Sequence, residues 1–157
     1  MRNTGTHNRM NARLGWIPFE ATRGLHFTAK KDEFWGYAAG TLLVLLTRAE
    51  EVLQRTGGAT KRPPSRLPVG GFSIDNYKTT LPVGKGLSSS AAVCVLVARA
   101  VSVLHGWQLS HRAEMEFAYL GERQTPSRCG RMDQACAFGK TPVLLVRFNE
   151  VVCVRQR

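Results

Sequence analysis

The residues best suited to chemistry lie between positions 81 and 92, in the stretch LPVGKGLSSSAA. Gly84 and Gly86 let the backbone take conformations that a side chain forbids, so successive N–H groups can turn toward one point. Ser88, Ser89 and Ser90 follow, and an apolar pattern of helical period starts with them. The first turn of any helix has N–H groups without intrahelical partners. A helix start that combines such N–H groups with hydroxyls is an anion site, suited above all to phosphate. The helix dipole contributes only about 0.3–1 kcal/mol, so affinity has to come from amide bonds, hydroxyls and a metal ion together. A serine hydroxyl at this place can hold Mg2+, as the hydroxyl of a P-loop does, and Lys85 adds a point charge. The stretch is not the common P-loop, because Gly86 follows the GK pair where Ser or Thr is required. It is not a hydrolase elbow either, since G-x-S-x-G is missing. The plainer alternative is a glycine-rich turn whose serine caps a helix.

The elements that must position this loop can be read from pattern. DEFWGYAAGTLLVLLTRAEEVLQR, residues 32–55, has apolar residues at helical spacing and acids at its start, and Gly57 and Gly58 stop it. A Pro/Gly/basic loop, ATKRPPSRLPVGG, comes next. GFSIDNYKTTLP alternates and predicts a strand ended by Pro82. A helix is expected over 88–105, stopped by Gly106, and a second begins after a Ser110 cap. A loop, TPSRCGRMDQACAFG, leads to two apolar stretches, PVLLVRF and VVCVRQR, that suit strands. Residues 1–31 are basic and irregular and yield no assignable element. The order helix, strand, helix, helix, strand, strand predicts one α+β or α/β domain.

Composition narrows the function classes. A chain of 157 residues with 43% hydrophobic and 21% charged residues is globular. The longest apolar run, YAAGTLLVLL, is about half the roughly 18–20 residues of a membrane span, so no membrane partner is expected. The N-terminus lacks the apolar core of a secretory signal; its Arg-rich, acid-free start leaves an organelle transit peptide open, although it contains no serine. Cys94, Cys129, Cys136 and Cys153 show no CxxC spacing. Cys94 and Cys153 fall in apolar segments, as buried thiols of a reducing, cytoplasmic compartment would. The net charge of +11 favours a phosphorylated small ligand or a polyanion. The basic residues are spread along the chain and no helix carries a basic stripe with aromatics, which weighs against nucleic acid.

LPVGKGLSSSAA also resembles the phosphate-binding motif of the GHMP kinases (galactokinase, homoserine kinase, mevalonate kinase, phosphomevalonate kinase), whose pattern is P-x-x-x-G-L-x-S-S-A. Pro82, Gly86, Leu87, Ser89, Ser90 and Ala91 match it, and Gly84 and Ser88 match the galactokinase version. CGRMDQ, residues 129–134, is similar to the galactokinase stretch C-G-x-M-D-Q, whose aspartate faces the sugar hydroxyl. The resemblance covers roughly residues 32–148.

The resemblance implies roles position by position. Ser90 corresponds to the Mg2+-coordinating serine and Ser89 to a phosphate contact, while Gly84, Gly86 and the first-turn amides cradle the terminal phosphates of ATP. Glu122, eleven residues before Asp133, has the separation of the second metal ligand in mevalonate kinases; the alternative is a solvated carboxylate at a helix end. Asp133 would orient or deprotonate the acceptor hydroxyl, the alternative being a loop or cap aspartate. Arg131 stands where the family has an aliphatic residue, and it could pair with Asp133 or reach a phosphate.

The implied fold is α+β, the two-layer sheet with helices of the family's N-terminal domain (ribosomal protein S5 domain 2-like). It would be incomplete here, with residues 1–31 as a basic N-terminal segment and 32–157 as a partial ATP-binding domain. The family's G-E-H-x-D-like motif and the glycine-rich loop of its second domain are not found, NTGTHN being a faint echo of the first. An uncovered apolar surface and poor solubility are therefore expected. The implied function is ATP- and Mg2+-dependent phosphorylation of a small-molecule hydroxyl, a sugar in the galactokinase/arabinokinase manner. The competing reading is a non-catalytic nucleotide- or sugar-binding relative.

Overall fold

A helix that is apolar around its whole circumference has to be buried, and FWGYAAGTLLVLLT is such a helix. In the computed structural model it forms α2 (Phe34–Thr47), where Leu42, Val44 and Leu45 are at most 1% exposed. The structure describes residues 9–14, 19–30, 34–57, 70–75, 78–82, 84–127, 129–137, 144–147 and 150–153. Around α2 pack α1 (Phe19–Lys30), α4 (Ser89–Leu104) and α5 (His111–Glu122), with α3 (Ala49–Thr56) against α5 and α6 (Met132–Cys136) against α4 and α5. Among the described residues the buried apolar core lies on these helices, joined by Trp107 from the turn between α4 and α5.

Small residues set how closely α2 and α5 approach. A methyl group added at Gly40 would fall on the Gly121 carbonyl oxygen, and one added at Gly121 would lie 2.5 Å from Thr41 Cα. Phe117, fully buried, fills the core from α5. Arg99 of α4 donates to the Glu114 carboxylate of α5, with Nη2 2.9 Å from Oε2, so a charged pair ties the two helices together beside the apolar contact. Ser110 caps α5 as expected, its Oγ accepting from the Ala113 N–H at 3.2 Å.

The strands do not build the expected sheet. β1 (Arg9–Leu14) pairs antiparallel with β2 (Gly70–Asp75), in a register from Arg9 opposite Asp75 to Leu14 opposite Gly70. β3 (Leu144–Arg147) pairs antiparallel with β4 (Glu150–Cys153), from Leu144 opposite Cys153 to Arg147 opposite Glu150. These are separate two-stranded ribbons with no shared strand. The expected α+β two-layer sheet is therefore corrected: the described fold is helical. The physical reason is where the apolar residues lie. Among the described residues α1, α2, α4 and α5 carry most of the buried apolar side chains and pack them against one another, with Ile74 of β2 only partly buried against this helical core.

Other boundaries also differ. The segment read as irregular, 1–31, contains β1 and α1. The single helix expected over 32–55 is two helices. At Arg48 the backbone leaves the helical region (φ −131°, ψ 16°), and its guanidinium turns onto Glu51 with two bonds of 2.8 Å. Asp32, Glu33, Gly58 and the loop 59–69 lie outside the described residues, whereas Gly57 ends α3 in the left-handed conformation at φ 63°. The strand expected up to Pro82 stops at Asp75, and the loop expected over 125–139 contains α6. Among the described residues no helix is long and apolar enough to cross a membrane.

Candidate functional site: a glycine–serine cradle and Asp133

The turn entering α4 has an alternating backbone. Gly84, Gly86 and Ser88 all have positive φ (71°, 72° and 54°), separated by Lys85 and Leu87. Alternation of this kind points successive N–H groups into one concavity, the arrangement that suits an anion. Nothing lies within 4 Å of where a Cβ would stand on Gly84 or Gly86. Their glycines are thus required by conformation, not by crowding. Ser88 precedes α4 without a side-chain capping bond; its carbonyl accepts the Ala92 N–H at 3.1 Å. The amides of Ser89, Ser90 and Ala91 open the helix and lack intrahelical acceptors. The plain capping role for Ser88 is not what its side chain does.

A cavity of about 450 Å³ sits on this turn. Gly84, Gly86, Leu87 and the three serines line it, and Phe34 and Tyr37 of α2 and Val93 of α4 complete its apolar side. Asp133, from the first turn of α6, lines the same cavity. Two stretches more than forty residues apart in sequence thus meet at one void. The polar groups offered there are hydroxyl and carboxylate oxygens and backbone amides. These oxygens are hard donors of the kind Mg2+ takes, alongside phosphate oxygens and water.

The other singled-out residues fall outside the lining. Pro82 and Lys85 are exposed on the loop, and Ala91 is fully buried beneath the first turn of α4. Glu122 is 1% exposed at the end of α5, not solvated as its plainer reading expected. Its Oε2 accepts from Gln134 Nε2 at 2.6 Å. Among the described residues no group of three His, Cys, Asp or Glu side chains is arranged to hold a metal.

Arg131 does not reach Asp133. Its fork grips the Glu116 carboxylate of α5, with Nη2 3.2 Å from Oε1 and Nη1 on Oε2, and its guanidinium carbon lies 4.1 Å from the centre of the Tyr119 ring. Glu116, which no motif singles out, and Gln134, which CGRMDQ contains without a stated role, take part in bonds between α5 and the segment around Asp133. Their contacts span 12 and 15 residues, so no local pattern announces them. Burial pushes the Cys94 thiol up to about 12 and the Cys129 thiol up to about 11, so neither is a ready nucleophile. Cys94, Cys129 and Cys136 are free thiols, and the Cys153 side chain lies outside the described residues.

A helix start with unpaired amides, approached through alternating positive φ and sharing its cavity with a carboxylate, has the form of an anion-binding site beside a proton acceptor. The family model described as the GHMP kinases N terminal domain matches residues 44–140, more than half of the chain and a span that includes both the cradle and Asp133. The chain belongs to the GHMP kinases, a family of enzymes. No curated protein and no solved structure matches it.

Proposed function

We propose that this protein binds ATP with Mg2+ in the cradle and passes the terminal phosphoryl group to a hydroxyl of a small molecule, a sugar. One observation carries the reading: the glycine–serine turn and Asp133 line a single cavity. Each part has a task the geometry suits. The amides of Ser89, Ser90 and Ala91 and the turn around Gly84 and Gly86 bind the phosphate oxygens. Ser89 and Ser90 add hydroxyls, and Lys85, exposed on the same turn, supplies a positive charge. Ser90, with the phosphates, would hold Mg2+; the ion supplies charge neutralisation at the transferring group. Asp133 accepts or orients the acceptor hydroxyl, a contribution typically of about 10²–10⁴ in rate. The rest comes from positioning and charge stabilisation, as in other phosphoryl transfers. The sugar assignment is supported by the likeness of CGRMDQ to the galactokinase stretch, and the free thiols support a reducing, cytoplasmic compartment.

A second reading is favoured by Glu122, whose carboxylate is buried on Gln134 instead of lining the cavity. A site with one fewer metal ligand suits a relative that binds nucleotide or sugar without turnover. Two measurements separate the readings. Millimolar Mg-ATP should raise the melting temperature, and Ser90→Ala should remove the rise. A coupled assay for ADP release over a panel of sugars should then show turnover that Asp133→Asn abolishes. Binding without turnover selects the second reading, and a folded sample that shifts with neither Mg-ATP nor any sugar of the panel rejects both.

A further inference from the structure

Resting on that reading, we propose that Arg131 and Gln134 are positioning residues that clamp α6 to α5 and so hold Asp133 at the cavity. A five-residue helix cannot sustain itself, because helix nucleation is costly and short segments gain few bonds. The placement of α6 must come from tertiary contacts, and two polar ones bracket Asp133 in sequence. On one side Arg131 grips Glu116, whose residue is 8% exposed, and lies over Tyr119. On the other side Gln134, with no exposed surface, donates to the equally buried Glu122. Gln134 Oε1 has no partner, so the amide keeps one strong bond, that to Glu122, with a weaker 3.8 Å contact to Cys129 Sγ. A buried amide with one lone acceptor is costly unless its remaining bond is secure.

Glu116 and Glu122 belong to the same helix, the one locked to α2 through Gly40 and Gly121. The clamp therefore refers Asp133 to a helix packed closely on α2 in the core. Glu122 contributes by holding the residue next to the carboxylate, a task that suits its burial better than contact with solvent-borne ligands. Ala135 is also buried on α6, so the short helix has an apolar anchor besides these polar contacts.

The test uses the full chain and the variants Arg131→Met, Glu116→Gln, their double variant, and Gln134→Met. Amide hydrogen exchange in the unliganded protein reads the clamp directly. The expected result is exchange about tenfold faster across 132–136, with α4 unchanged, and a double variant no worse than either single one. In the same variants the affinity for Mg-ATP should stay within about twofold while turnover falls about tenfold, a split that general unfolding would not produce. Arg131→Lys should keep part of the protection, since charge remains and the fork is lost. Unchanged protection over 132–136, or equal loss in α4, overturns the clamp. Faster exchange over 132–136 in a chain that binds no nucleotide leaves the clamp standing and rejects the kinase reading.

Discussion

The two halves of the candidate site are built in opposite ways. The cradle at the start of α4 is made by backbone: three positive φ angles, unpaired first-turn amides, and serines adjacent in sequence. The Asp133 half is made by side chains reaching over 12 and 15 residues to α5. The first is a local property of about seven residues, and the second depends on the packing of the whole helical core. A backbone cradle should tolerate many substitutions around it but few within it. The Asp133 half should respond to changes well away from the cavity.

The sharpest way to separate the halves is Asp133→Asn. It should lower turnover by about 10²–10⁴ and leave Mg-ATP affinity nearly unchanged in calorimetry. An equal loss of affinity would mean that Asp133 works as part of the cradle. Phe117→Ala removes a fully buried ring from α5 and should cost about 3–5 kcal/mol of stability, measured by denaturant unfolding. Under mild denaturant, activity should fail in this variant before nucleotide binding does. Gly86→Ala forces a side chain into the left-handed region at φ 72°, with no neighbour to clash. The conformational cost of about 1–2 kcal/mol should appear mainly as weaker Mg-ATP binding. Ser110→Ala is the contrasting control: loss of the α5 cap should cost about 0.5–2 kcal/mol of stability and change neither binding nor turnover per folded molecule.

The smallest effect concerns pH. Burial lowers the pKa of His105, whose Nε2 has no partner. The folded state therefore resists protonation that the unfolded chain accepts. Its contribution to stability is complete above the ordinary histidine value near 6.5 and is lost as pH falls toward the lowered folded value. Unfolding midpoints between pH 7.5 and 5 should fall less steeply in His105→Asn than in the parent chain.

What could be read from sequence follows the same division. The Gly84–Gly86–Ser88 turn, the start of α4 and the Ser110 cap depend on residues within a turn of one another, and pattern located them. Gly57 and Gly106 stop their segments with positive φ for the same local reason. The sheet was not foretold correctly. Alternation along 71–82 identifies an extended segment but not what it pairs with, and the paired part ends at Asp75. The break at Arg48 was hidden because apolar spacing continues through it, while the bend is taken up by an exposed ion pair with Glu51. Arg131 shows the limit most clearly. Its neighbours in sequence suggested Asp133 or a phosphate, whereas α5 offers it a carboxylate and an aromatic face.

The proposed phosphoryl transfer requires the cradle and Asp133 to serve one bound nucleotide. Paramagnetic Mn2+, substituted for Mg2+ with ATP, reads that directly through the NMR signals of the Gly84 and Gly86 amides and of the 13C-labelled Asp133 carboxylate. All three signals should broaden together, and Ser90→Ala should weaken the effect on each. Broadening at the glycines with a sharp Asp133 signal would contradict the account.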